Sequence, residues 1–155
     1  MDKMEKQVHR KRVHHVLAHS YVVYFMALIF GLVFSAFVPI KFFFSVILMN
    51  MSGIILLLSS VLILWAEKSS KKFNKENLNR KSFMNGPYRF TRNPTNLGLF
   101  LSIISFGIIV NSVFIILFCL IAFLFSRLVF LKNEEKILTL KYGAPYIEYK
   151  KIVKF

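Results

Sequence analysis

The segment Gly86-Pro87-Tyr88-Arg89-Phe90-Thr91-Arg92-Asn93-Pro94-Thr95-Asn96-Leu97-Gly98 holds the densest run of residues able to do chemistry. Pro87 and Pro94 fix φ and remove backbone donors. The residues before them, Gly86 and Asn93, are pushed away from helix. Gly86 to Pro94 therefore reads as an ordered, irregular loop, with Asn93 or Thr95 able to cap a helix that begins near Asn96. Arg89 and Arg92 flank long apolar runs, where a cation is costly unless it meets water, a lipid phosphate or a bound anion. Irregular backbone at membrane depth is tolerated where it lines a cavity. The plainer alternative is an interfacial loop anchored by Tyr88 and the two arginines. A second polar island runs from Glu134-Glu135 to Tyr149. Two adjacent carboxylates are conspicuous in a chain with 21 Lys and Arg against 7 Asp and Glu. Either they open a solvated amphipathic helix, or one of them turns inward to hold a cation.

The elements that must position these residues are apolar. The 155 residues are 56% hydrophobic and include 18 Phe, which excludes a disordered chain and fits a soluble domain poorly. Val22 to Val38 and Phe42 to Trp65 are each about long enough to span a bilayer, and Pro39-Ile40-Lys41 separates them. Ser52, Gly53, Ser59 and Ser60 in the second run suit close helix approach. Leu97 to Val110 and Ser112 to Leu131 form two more runs with Asn111 at the turn, and the third run is short for a full span. From Lys132 onward the chain is amphipathic. The expected fold is all-α: a polytopic membrane helix bundle of about four transmembrane helices, with a cytosolic amphipathic C-terminal helix. It is one domain, divided into a helix pair (1–66), a basic loop (67–96) and a helical hairpin with its C-terminal segment (97–155).

The formal charge of +14 gathers in Lys3 to Arg12, Lys68 to Arg92 and Arg127 to Lys154, and only Lys41 lies outside these clusters. Four spans place all three clusters on one side, so the positive-inside rule puts both termini and the two polar islands in the cytoplasm. Basic loops of this kind favour anionic lipid headgroups, and they argue against nucleic acid as the partner. Cys119 is the only cysteine and reads as a small buried hydrophobe. His9, His14, His15 and His19 cluster, with the last two one helical turn apart, but no Asp or Glu follows nearby to complete a metal site. No cleavable leader is apparent.

The first island, followed by Glu134-Glu135-x-x-Leu138-x-x-x-Tyr142-Gly143-x-x-Tyr146-x-x-Tyr149, resembles the isoprenylcysteine carboxyl methyltransferase and phospholipid methyltransferase superfamily. The likeness covers about Ser82 to Phe155. It implies a bundle whose cytosolic C-terminal part encloses S-adenosylmethionine. By resemblance, Ser82, Phe83 (in a strand-like approach), Tyr88, Asn93, Pro94, Thr95 and Asn96 would contact the cofactor, and Glu134 would hold its ammonium. A buried carboxylate there offsets the desolvation of a cationic ligand. Three positions depart from the family pattern: Asn93 stands for His, Asn96 for Tyr, and Phe130 for an Arg thought to engage the acceptor's carboxylate. Arg127 and Lys132 could replace that Arg, and with Glu135 they are the catalytic candidates. The implied acceptor is a lipophilic small molecule or lipidated substrate. Two rival readings remain. A membrane reductase of similar layout would hold the 2′-phosphate of NADPH with Arg80, Lys81, Arg89 and Arg92. A non-catalytic scaffold or lipid-binding relative would bind neither cofactor.

Overall fold

The computed structural model describes residues 3–41, 45–70 and 83–153, with residues 3–19, 130 and 131 by backbone alone. Among these residues every regular element is helical. Helix α1 spans Lys3–Phe37 and α2 spans Val46–Ser70. A short 3₁₀ turn, Gly86–Arg89, precedes α3, Pro94–Ile109. Helix α4, Val113–Phe125, passes through a π-helical stretch, Ser126–Phe130, into α5, Leu131–Tyr142, so the two form one rod. Helix α6, Ala144–Ile152, closes the fold.

Among the described residues three helices are long and apolar enough to cross a membrane: the Ser20–Phe37 part of α1, α2, and the rod Val113–Tyr142. A 30-residue rod is about 45 Å long, against a hydrocarbon layer of about 30 Å. Its apolar stretch ends at Leu131, and a charged remainder follows from Lys132. Helix α3 has 16 residues, about 24 Å, in line with the short third run.

The helix limits differ from the sequence reading in three places. Helix α2 continues past Trp65 through Glu67 to Ser70, so the basic loop begins later than expected. Helix α3 starts at Pro94, two residues before Asn96, because Asn93 Oδ1 accepts from Asn96 N at 3.1 Å while Pro94 needs no partner at the first helical position. The C-terminal amphipathic segment is two helices. Gly143 breaks it at φ 60° and ψ −137°, a conformation open essentially to glycine alone. Phe83 lies in no strand, and Ser82 falls outside the described residues.

Side-chain pairs fix the helices as antiparallel neighbours. Ser59 meets Ser102 at 2.7 Å between α2 and α3. Phe34 packs on Phe114 and Phe118 between α1 and α4, with ring centroids 5.9 and 5.4 Å apart. Phe100 stacks on Phe123 at 4.2 Å between α3 and α4. Ser35 hydrogen-bonds Ser112, which brings the loop after α1 and the Asn111 turn to one end. Tyr21 OH donates to Glu67 Oε1 at 2.8 Å at the opposite end, where both polar islands lie.

The buried face of α2 is made only of small residues: Ser52, Ser59, Ala66 and Ser69. Its large side chains point outward, with Ile47, Leu57 and Leu64 more than 60% exposed. A soluble helix does the reverse. Lipid offers no hydrophobic drive for burying leucine, so close backbone approach decides what lies inside. Gly98 meets this seam, and a Cβ there would sit 2.6 Å from Ile63 Cγ1. Gly53 does not serve as a close-approach point, because open space surrounds the position its Cβ would take.

Candidate functional site

The first island folds as a turn wedged against the end of α2. Gly86 has φ 61°, and a Cβ there would overlap Ser69 Oγ. Pro87 is buried and starts the 3₁₀ turn; its carbonyl accepts from Phe90 N at 3.1 Å and Thr91 N at 3.3 Å. Tyr88 points inward, and its hydroxyl hydrogen-bonds the side chains of Thr95 and Ser70. Burial first, and then the Glu134 carboxylate, push this phenol up to about 12, so it stays neutral at physiological pH. Helix α6 is pinned over the turn by Tyr149 OH, which donates to the Tyr88 carbonyl at 2.7 Å. Behind it, Phe83 meets the rings of Tyr142 and Tyr146 edge-on at 5.1 and 5.7 Å. Phe83, Tyr146, Tyr149 and Val153 thus form a small buried core of their own.

The adjacent carboxylates differ in company. Glu135 is paired with Arg92 from the loop and with Lys150 from α6. Glu134 accepts from Asn93 Nδ2 at 2.9 Å, and among the described residues no Lys or Arg pairs with it. Burial, reinforced by the charge on Glu135, pushes the Glu134 carboxyl up to about 7. One asparagine therefore does two things: its Oδ1 caps α3 and its Nδ2 holds Glu134.

A cavity of about 460 Å³ opens beside this pair, within the usual range for small-molecule sites. Phe90, Leu97 and Phe123 supply its apolar wall. Arg92, Asn93, Asn96, Arg127, Lys132 and Glu135 supply its polar side. Phe90 is 72% exposed, so the mouth is apolar and open to the surroundings of the bundle. Asn96 is buried, and its Oδ1 accepts from Ser126 Oγ at 2.7 Å.

Of the residues singled out in the sequence, Asn93, Asn96, Arg127, Lys132 and Glu135 meet at the cavity. Tyr88, Thr95 and Glu134 form an adjoining polar cluster behind Asn93. Pro94 is buried at the start of α3, and Phe83 belongs to the aromatic core under α6. Ser82, Arg80, Lys81 and the side chains of His9, His14, His15 and His19 lie outside the described residues. Of the proposed 2′-phosphate ligands, Arg89 is exposed and Arg92 is engaged by Glu135. Three residues of the site escaped the sequence reading: Ser126, Tyr149 as a clamp, and Lys150. A signal existed for Ser126, since a polar side chain within an apolar run is costly to leave without a partner inside the bundle. No such signal marks Lys150 among so many lysines.

Among known families, the phospholipid methyltransferase family matches residues 40–145, well over half of the chain and all of the loop, cavity and carboxylate pair. No curated relative and no solved structure matches.

Proposed function

The chain belongs to the phospholipid methyltransferase family, and from that premise we propose that it transfers a methyl group from S-adenosylmethionine to a lipophilic acceptor at the cytoplasmic face of the membrane. One observation carries the reading: Glu134 is a partly buried carboxylate that no Lys or Arg pairs with among the described residues, in a protein of net charge +14 whose neighbouring Glu135 has two such partners. Leaving such an acid unpaired among so many lysines costs stability unless a ligand brings the cation. S-adenosylmethionine supplies a methyl group on a cationic sulfur and carries an ammonium besides.

Glu134 would hold that ammonium, and Asn93 fixes the carboxylate for it. Tyr88, Thr95, Asn96, Pro94, Phe83 and Ser82 would complete the cofactor's surroundings. The Arg92–Glu135–Lys150 network ties the loop to α5 and α6. Arg127 and Lys132 line the same cavity as Phe123 and Leu97, and would meet the polar end of an acceptor whose apolar tail the latter two receive. Methyl transfer is a direct displacement, so alignment of acceptor, methyl and sulfur matters more than acid–base help. A short α3 and an apolar cavity mouth suit lateral entry from lipid. The basic clusters support the cytoplasmic placement.

The test is calorimetric binding of S-adenosylmethionine, and separately NADPH, to the detergent-purified protein, with Glu134→Ala as control. Micromolar S-adenosylmethionine affinity that is lost in the variant is the expected result. Absence of binding by folded protein would refute the assignment, and NADPH binding in its place would favour the reductase.

A further inference from the structure

Gly143 alone separates α6 from α5, with φ 60° and ψ −137°. Open space surrounds the place a Cβ would take there, so nothing packs against this joint. One non-helical residue between two helices can absorb the backbone rotation of a hinge. The buried face of α6 is Tyr146, Tyr149 and Val153, which rests on Phe83. That cluster is separate from the bundle's core around Tyr24, Ile103, Ile115 and Cys119. The other face, with Ile147, Glu148 and Lys151, is exposed. Lifting α6 would therefore uncover one small aromatic cluster and leave the membrane-spanning core whole. A unit with a small core of its own opens at less cost than the entire fold.

Adjacent side chains tie α6 down, and both ties end at the residues assigned above to the cofactor. Tyr149 OH donates to the carbonyl of Tyr88 at 2.7 Å. Lys150 pairs with Glu135, the neighbour of Glu134 in sequence. The Lys150 side chain is 44% exposed, so water and salt weaken that pair. Both are polar contacts that can break and re-form without disturbing the helices on either side. Methyl transfer would leave the cofactor's sulfur neutral but its ammonium unchanged. Glu134 would thus grip the spent cofactor as it gripped the fresh one, and departure would depend on the cover.

We propose that α6 is a strap, hinged at Gly143 and latched by Tyr149 and Lys150, whose opening admits S-adenosylmethionine and releases the demethylated cofactor. The identity of the cargo rests on the cofactor reading above; the hinge and the latch rest on the geometry of α6.

The first measurement is hydrogen–deuterium exchange of the full-length protein in detergent, without ligand. The amides of α6 should exchange together and faster than those of α4. Tyr149→Phe keeps the ring and removes the hydroxyl, and should speed α6 exchange about fivefold while leaving α4 unchanged. Lys150→Met, at an exposed position, should speed it about twofold and serves should the Phe variant fold poorly. The second measurement is the association and dissociation rate of S-adenosylmethionine on immobilised protein. A latch predicts that Tyr149→Phe raises both rates about fivefold and keeps the affinity within about twofold. A contact that only holds bound cofactor would raise dissociation alone. That outcome, or α6 amides exchanging no faster than those of α4, would overturn the strap. Cofactor binding with a static α6 sinks only this inference. An opening α6 in protein that binds no S-adenosylmethionine sinks the cofactor reading and the strap's cargo with it.

Discussion

Glu134 carries a consequence for pH. Its carboxyl is pushed up to about 7 in the folded protein by burial and by Glu135, against an ordinary value of 4.5. A raised carboxyl pKa means that the fold favours the protonated acid. The associated stability is complete below the unfolded value and is lost as pH rises through 7. At pH 8 the site thus holds an ionised carboxylate with no cationic partner among the described residues, which a cationic ligand relieves. S-adenosylmethionine should therefore raise the melting temperature more at pH 8 than at pH 6. Its affinity should fall with acidification below 7, approaching about tenfold per pH unit. Glu134→Gln should weaken binding and flatten that profile. A profile unchanged in the Gln variant would mean that another group titrates. The pair Glu134-Glu135 was visible in the sequence as an anomaly. Which of the two faces a ligand was not, because the answer depends on Arg92 and Lys150, 43 and 15 positions from Glu135, converging on the same carboxylate.

At the scale of elements, the bundle rests on how closely helices approach, and glycines report it. Gly31 in α1 faces the backbone of α4: a Cβ would sit 2.7 Å from Ile115 Cα, so the helices must part. Gly53 in α2 has open space around that position. Gly31→Ala should destabilise the protein by about 1–3 kcal/mol. Gly53→Ala should be neutral or stabilising by up to about 1 kcal/mol, since alanine is the better helix former. Thermal unfolding of the two variants in one detergent checks both, and equal effects would mean that α1 and α4 do not meet at Gly31. The apolar runs and their order were legible, because length and hydropathy alone identify helices that suit lipid. The choice among glycines was not. Hydropathy says that a segment enters the membrane, but it says nothing of which face meets a neighbour, and in lipid that face is chosen by shape. The break at Gly143 went unread for a related reason: the helical pattern runs on through it, and only the backbone shows α6 folding back so that Tyr149 reaches the Tyr88 carbonyl.

For the whole molecule, the pairings Ser35–Ser112 and Tyr21–Glu67 sort the connections by end. Lys41 and the Asn111 turn share one end. The loop before α3, the charged part of the rod and α6 share the other. The described parts of the basic clusters then fall at the second end, the one that the proposed orientation sets in the cytoplasm. In a Cys119→Ser background, single cysteines at Lys41 and Val110 should react with a membrane-impermeant maleimide added to intact cells, whereas one at Glu148 should react only after permeabilisation. Lys41, Val110 and Glu148 are all exposed, and none lies in the proposed site. Reaction of all three from the same side would contradict the bundle's two ends. Reaction of Glu148 alone in intact cells would invert the orientation and remove the site from the cytosolic supply of cofactor. If Lys41 and Val110 react from opposite sides, α3 does not cross. Its 16 residues fall some 6 Å short of the hydrocarbon layer, so a crossing requires the bilayer to thin beside α3 or the rest of the bundle to shield its ends. Labelling at Val110 is thus the direct measure of whether the short helix before the cavity spans the membrane or only enters it.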